Sequence, residues 1–342
     1  MTALSIVIPC YNEADCLDVL YGRVVAVAKD VAGDDYEIVL INDGSKDATW
    51  PVMQRLAAAN SRIVAVNLSR NHGHQLALTA GLDLARGDYI LILDADLQDP
   101  PELLPDMLAT MKAESADVVY AVRRARAGEG FAKKASAALF YRLLARLTDT
   151  DIPLDTGDFR LMTRRALDAF LSLPEQARFI RGMVAWIGFR QVPFPYDRDA
   201  RHAGETNYPL TKMLRLAFDA ITGFSTAPLR FASHAGLALT GASVLLMAYI
   251  GIGWLRGTTV AGWTSLMLVV VGLGAVQMFV LGLIGEYLGR LYIEAKKRPL
   301  YIVADVIGTA REGSRLGHRA DLGADTSATS ETPGGIGTRP TK

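Results

Sequence analysis

Several devices by which proteins hold nucleotides are missing from this chain. The first strand-like segment, Leu4 to Pro9, runs into Cys10-Tyr11-Asn12-Glu13 and not into G-x-G-x-x-G. That excludes the dinucleotide turn in which bare backbone approaches a pyrophosphate. There is no GxxxxGK[ST] loop either, so no run of main-chain amides is set up to cradle phosphates. Cysteine is nearly absent: Cys10 and Cys16 form no CxxC and no ligand cluster, and they read as reduced thiols of a cytosolic domain, not as a disulfide. Net charge is absent as well. Lys plus Arg and Asp plus Glu number 36 each, so total charge points to no partner, and no nucleic acid is expected. The opening MTALSIVIPCYNE lacks a basic segment and a long apolar core, and reads as a first strand, not as a signal peptide.

What is present begins with residues 89–104, YILILDADLQDPPELL. Tyr89 to Leu93 read as a buried strand that runs into Asp94-Ala95-Asp96, and the double proline behind stops further pairing. With a side-chain period of two, Asp94 and Asp96 are expected on the same face of the strand. Carboxylates so close repel unless a cation lies between them. A hard divalent ion on oxygen ligands, bridging to a substrate diphosphate, satisfies both. An acidic turn is the bland reading of the same tripeptide, and only its surroundings decide between them.

Those surroundings are ordered. Strands are expected at 4–9, 36–42, 62–68 and 117–122, with helices at about 14–32 and 163–172. This alternation predicts an α/β fold, an open and mostly parallel sheet with helices on both faces. In such sheets ligands sit at the carboxyl ends of the strands, where Tyr11, Asp43, Asn71, Asp94 and Asp96 all fall. His72 and His74 lack a further ligand at useful spacing and read as loop histidines, not a zinc site. Asp155, Asp158 and Arg160 share the short segment DTGDFR, and arginines recur at 178, 181, 190, 198 and 201.

Two uncharged runs, 235–255 and 263–285, are each long enough to cross a bilayer. Arg215 and Arg230 precede them, and Arg290, Lys296, Lys297 and Arg298 follow. The positive-inside rule therefore puts both flanks in the cytoplasm. Glu286 is spaced to pair with Arg290. Basic amphipathic stretches at 131–149 and 209–228 are expected to lie on the anionic leaflet. The expected division is a catalytic domain over 1–208, interfacial helices over 209–230 and a membrane hairpin over 231–290, with helices at about 232–255 and 263–287. A cytosolic segment over 291–312 and a disordered tail over 313–342 complete it.

Taken together, IPCYNE, INDGSKD, SRNHGHQLALTAGLDLARGDYILILDADLQDPPE, DTGDFRLM and RHAGETNYPL followed by two spans resemble the polyprenyl-phosphate glycosyltransferases of glycosyltransferase family 2. These are the bactoprenol glucosyltransferases and dolichyl-phosphate mannose synthases. The resemblance covers roughly residues 4–303 and implies a GT-A fold. It implies inverting transfer of a hexose from a nucleotide sugar to polyprenyl phosphate at the cytoplasmic face of an inner or plasma membrane, for cell-envelope glycan modification. The HGHQLALTAGLD and ADLQDPPE wording favours UDP-glucose over GDP-mannose, UDP-N-acetylglucosamine or an aminoarabinose donor.

By the same resemblance, Pro9, Tyr11, Asn12, Glu13 and Asp43 would hold base and ribose, with Asp94, Ala95 and Asp96 completing the nucleotide site. Asp94, Asp96 and Gln98 would hold Mg²⁺ or Mn²⁺. Arg123 and Arg201 would contact donor or lipid phosphate, with Arg126, Lys133, Thr206 and Lys212 on the acceptor side. Asp155 and Asp158 would frame sugar and acceptor. Asn207 departs from the lysine usual in the closing R-x-x-G-x-S-K motif, which leaves Lys212 as a substitute. Relatives suggest a tetramer packed through Gly272, Gly274, Gly282 and Gly285. A processive polysaccharide synthase is disfavoured because no QxxRW-type helix is present. A catalytically dead membrane scaffold is disfavoured because it needs no clustered carboxylates.

Overall fold

The computed structural model describes residues 2–123, 156–197, scattered positions between 229 and 256, and 262–308. Strand β1 (Leu4–Cys10) leads to helix α1 (Ala14–Ala32), β2 (Tyr36–Asn42), α2 (Thr49–Ala59), β3 (Ile63–Leu68), α3 (His74–Leu84) and β4 (Tyr89–Ile92). A 3₁₀ turn (Pro101–Leu103), α4 (Leu104–Ala113) and β5 (Val118–Arg123) follow. After these come β6 (Thr156–Thr163), α5 (Arg164–Leu171), α6 (Ile180–Trp186), β7 (Gln191–Tyr196), α7 (Trp263–Lys296) and β8 (Val303–Ile307).

The strands form one eight-stranded sheet in the order β7-β5-β6-β4-β1-β2-β3-β8. β1 pairs in parallel with β2 and β4, and β2 with β3, whereas β6 and β8 run antiparallel to their neighbours. Every residue of β1 and β2 is buried, as expected for strands covered on both faces. The pleat divides them. Ile6, Ile8, Ile38 and Leu40 join the core beneath α1 and α2, while Val7, Val39 and Ile41 join the core beneath α3, α5 and α6. α1 turns the stripe Leu17, Leu20, Val24 and Ala28 inward. α3 lies so close to the sheet that a side chain at Gly81 would collide with Val7 and Ile41.

The expected strands at 4–9, 36–42, 62–68, 89–93 and 117–122 are present within a residue or two. Three others escaped the sequence. β6 lies in the short segment expected before a helix, β7 is interrupted by prolines, and β8 lies in the expected cytosolic segment, where no strand is foreseen. β6 is inserted between β4 and β5 because its Phe159, Leu161 and Met162 are fully buried. An antiparallel insertion of that kind leaves no mark in the pattern of alternating strands and helices.

The region expected to span a membrane also differs from expectation. α7 continues to Lys296, well past the expected end near residue 287. At 34 residues it is about 50 Å long at 1.5 Å per residue. Its segment Gly272–Lys296 is the one helix among the described residues that is long and apolar enough to cross a membrane. Glu286 does pair with Arg290, at 3.1 Å. Side chains added at Gly272, Gly274, Gly282 or Gly285 would meet nothing within 4 Å. The first expected span, both amphipathic stretches and the tail lie wholly or largely outside the described residues, so a two-helix hairpin is not part of this description.

Candidate active site

The sheet's connectivity reverses beside β1: the chain moves outward through β2 and β3, then crosses back to β4 on the other side. A crevice opens at such a switch point, outside the carboxyl ends of the strands. Here it is a cleft of about 360 Å³ lined by residues from four strand ends and one helix start. Pro9, Cys10, Tyr11 and Glu13 come from the end of β1, Asp43 follows β2, Asn71, Gly73 and His74 follow β3, and Asp94, Ala95 and Asp96 follow β4.

The loops of this rim are cross-tied. Asn12, at φ +57°, accepts from the Lys46 N–H through Oδ1 at 2.8 Å, and its own N–H donates to Ser45 Oγ at 3.0 Å. Its side chain therefore staples two loops together and is not among the cleft-lining groups. Asp43 caps the next loop, accepting from the N–H groups of His72 at 2.7 Å and Gly73 at 3.0 Å. Gly44 makes this approach feasible. Its φ is +65°, and a Cβ there would stand 2.5 Å from the backbone of Arg70 and Asn71.

β4 ends at Ile92, and Asp94-Ala95-Asp96 lies in the turn beyond it. Strand alternation therefore does not bring the two carboxylates together, contrary to expectation. Both reach the cleft because the chain turns, with Leu97 at φ +61°. Gln98 is buried and outside the lining, and its contribution is a backbone N–H donated to Asp96 Oδ1 at 3.1 Å. Asp99 is fully buried and accepts from Tyr196 Oη at 2.5 Å, which anchors the turn to β7.

Asp158 arrives by register. β6 pairs with β4 so that Ile92 faces Arg160, and two residues further on Asp158 stands beside Asp94. Its carboxylate is 3% exposed and heavily engaged. Arg181 Nε donates to Oδ1 at 2.9 Å, Gln75 Nε2 donates to Oδ2 at 3.1 Å, and His74 Nε2 lies 3.0 Å from Oδ2. The buried Arg160 guanidinium is 3.6 Å away. The same His74 nitrogen lies 3.7 Å from Asp94 Oδ1, so one imidazole stands between two carboxylates.

The electrostatics separate those two acids. Burial would raise Asp158, but the His74 hydrogen bond and the charges of Arg181 and Arg160 hold it far below the usual carboxylate range. Asp94 is pushed up to about 6, first by burial and then, against the pull of His74, by the charges of Asp158, Asp99 and Asp96. Burial alone would lower His74, yet its bond to Asp158 and the nearby Asp94 leave it raised. Asp94 Oδ1 is buried with no hydrogen-bond partner. Among the described residues no three His, Cys, Asp or Glu side chains form a complete metal-ligand set.

Of the residues singled out from the sequence, Pro9, Tyr11, Glu13, Asp43, Asp94, Ala95 and Asp96 meet in the cleft, and Asp158 stands directly behind it. Asp155, Arg126, Lys133, Arg201, Thr206 and Lys212 lie outside the described residues, as does the side chain of Arg123. Sequence reasoning missed His74, expected as a loop histidine, Gln75, given no role, and Arg181, named only among the recurring arginines. The available signal was their place at the starts of helices that point toward the strand ends.

The site is thus a cleft of carboxylates at the switch point of a mixed, mostly parallel sheet. Residues 5–171 match the family described as Glycosyl transferase family 2. The chain is 47% identical over 313 residues to the uncharacterized glycosyltransferase YkcC of Bacillus subtilis, covering 91% of this chain and 96% of that one. It is 39% identical over 301 residues to the bactoprenol glucosyl transferase of Shigella phage SfV, covering 88% and 97%. Among solved structures, Staphylococcus aureus TarS 1–349 in complex with UDP-GlcNAc is similar at a TM-score of 0.46 and 16% identity, over 64% of this chain and 65% of that one. The chain belongs to glycosyl transferase family 2, and it is a glycosyltransferase.

Proposed function

We propose that this enzyme transfers glucose from UDP-glucose to a polyprenyl phosphate at the cytoplasmic face of a membrane, inverting the anomeric carbon. The product would supply sugar for modification of a cell-envelope glycan. The observation that carries this reading is the gathering of Asp43, Asp94 and Asp96 in one cleft beside the clamped Asp158. It occurs in a chain matched over nearly its whole length by a relative named bactoprenol glucosyl transferase.

The residues present fit a divalent cation. A buried carboxylate oxygen without a hydrogen-bond partner, on an acid whose ionised form is disfavoured by burial and by neighbouring acids, is a position that a cation relieves. Asp94 and Asp96 would hold Mg²⁺ or Mn²⁺, the diphosphate oxygens completing the ligand set, and the ion would offset the charge of the departing nucleoside diphosphate. Pro9, Tyr11, Glu13, Asp43 and Ala95 would surround base and ribose, with Asn12 acting through the loop it staples. The acceptor, a phosphate monoester with a second pKa near 6, is already anionic at neutral pH. No protein group need take its proton. Asp158 has the properties of a positioning group: ionised, desolvated and engaged on both oxygens. Arg123, Arg126, Lys133, Arg201, Thr206 and Lys212 are assigned to phosphate and lipid contact, and Asp155 to the sugar. The apolar run of α7 would seat the enzyme in the bilayer, and its open glycine faces would pack a homotetramer.

A donor screen tests this. Purified enzyme in lipid is offered undecaprenyl phosphate, Mn²⁺ and several radiolabelled nucleotide sugars, and lipid-extractable counts are measured. Counts from UDP-glucose are expected. Counts from another sugar would overturn the donor and keep the reaction. Absence of counts from every donor, with folded protein, would overturn the reading in favour of a scaffold.

A further inference from the structure

The chain that leaves α7 does not drift away from the catalytic domain but is built into it. Lys297 turns the chain in a left-handed conformation, and Leu300 and Tyr301 then bury themselves in the core that also holds Ala77, Leu78, Ile180 and Val184. Ile302 accepts from the Ser69 N–H at 2.8 Å. β8 continues as the edge strand on β3, from Val303 opposite Leu68 to Ile307 opposite Ala65.

Two side-chain ties complete the attachment, and both lead to the same carboxylate. Tyr301 Oη donates to Asp83 Oδ2 at 2.6 Å, with both groups buried. Asp83 is in the last turn of α3, and His74 and Gln75 begin that helix; nine residues at 1.5 Å each make it a rigid lever of about 13 Å. In the last turn of α7, Glu294 Oε1 accepts from the Gln176 N–H at 2.8 Å. Gln176 begins the segment that leads into α6, where the Ile180 N–H donates to Gln75 Oε1 at 2.9 Å and Arg181 holds Asp158. His74, Gln75 and Arg181 are three of the groups around the Asp158 carboxylate, and all three are carried by elements tied to the inner end of the membrane helix.

We infer that the inner end of α7 and the strand behind it form a brace that sets the geometry around Asp158, making Tyr301 and Glu294 positioning residues for sugar transfer. Neither touches the cleft. The brace gives the membrane helix a mechanical hold on the two elements that frame the sugar side of the site, α3 and α6. Apart from the backbone bonds that Asp43 accepts from His72 and Gly73, the base-binding rim, carried by β1 and β2, is held by the strand pairing of the sheet. Loosening the brace therefore slows turnover and leaves donor binding nearly unchanged.

The inference rests on the glycosyltransferase reading for its kinetic arm only. Full-length wild type, Tyr301→Phe, Glu294→Ala and Glu294→Gln are compared in lipid. Phe keeps the buried ring and loses the bond to Asp83, while Gln keeps the oxygen that Gln176 needs. Tyr301→Phe and Glu294→Ala are each expected to lower kcat about 10-fold, since sub-ångström misplacement of groups at a reacting centre has effects of this order. Donor KM should stay within about 2-fold, as follows from an intact base-binding rim, and Glu294→Gln should behave as wild type. Hydrogen exchange needs no substrate and stands even if the donor or the reaction proves different. Exchange at residues 74–79 and 179–183 should rise in the first two variants while β1 and β2 stay protected. Wild-type kcat in both loss variants, or exchange that is unchanged or rises evenly across the sheet, would overturn the brace. A wild type that transfers nothing would overturn the function and leave the exchange result to decide the brace.

Discussion

Asp94 and Asp158 stand on either side of one imidazole, and removing the charge of each should have opposite effects on stability. Asp158→Asn leaves Arg160, itself 3% exposed, without its carboxylate. Breaking a buried pair by removing one partner costs about 3–5 kcal/mol. Arg181 is 36% exposed and can turn to water, so the lower end, about 3 kcal/mol, is expected. Asp94→Asn removes a charge the fold disfavours. With its carboxyl moved from 3.8 to about 6, the folded state binds that proton more tightly than the unfolded chain does. The penalty for ionisation is therefore absent below pH 4, grows through pH 4–6 and is complete above it. At about 1.4 kcal/mol per unit the upper bound is about 3 kcal/mol; the new amide's own imperfect pairing reduces the expected gain to about 1–2 kcal/mol. Thermal unfolding of the full chain in lipid at pH 8 and pH 5 reads both. At roughly 2–4 °C per kcal/mol, Asp158→Asn should unfold several degrees earlier, and Asp94→Asn should unfold later at pH 8 with a smaller gain at pH 5. Both should be inactive. An Asp94→Asn variant less stable than wild type at pH 8, or a neutral Asp158→Asn, would refute the electrostatic reasoning.

Asp96→Ala is expected to abolish transfer while leaving the unfolding temperature near that of wild type, because its side chain lines the cleft; near-normal transfer would rule out the metal assignment. Mn²⁺ binding by the free enzyme, followed calorimetrically, should weaken as pH falls through about 6, where Asp94 takes up its proton; below that the apparent Kd should rise about 10-fold per pH unit, as one competing proton requires. A pH-independent Kd between 5 and 7 would contradict this. Gly44→Ala should destabilise by about 1–3 kcal/mol and raise donor KM, since a Cβ there displaces the 70–73 loop; unaltered donor KM would mean that this loop does not shape the site.

The parts of this enzyme legible in its sequence are those set by local pattern. Continuous apolar runs made β1 to β5 readable, because a strand covered on both faces has no polar side to show. The acidic chemistry after β4 was readable because Asp-x-Asp followed by Pro-Pro is a chemical oddity, although the turn that presents both carboxylates was not, strand alternation being expected there. The long apolar run at 263–285 was readable because its composition alone meets the length of a bilayer. The parts that escaped depend on partners distant in the chain. β6 enters the sheet between β4 and β5, and only its register with β4 puts Asp158 beside Asp94. His74 looked like a loop residue because its partner lies 84 positions away, and Tyr301 finds Asp83 across 218. β8 is short and exposed along much of its length, so nothing local distinguishes it from a linker; it becomes a strand only because β3 offers an open edge. Local pattern in the sequence sufficed for β1 to β5, the acidic chemistry and the apolar run. The tertiary structure alone decided which charges face each other, because a pKa, a buried ion pair and a brace are properties of distance in space and not of position along the chain.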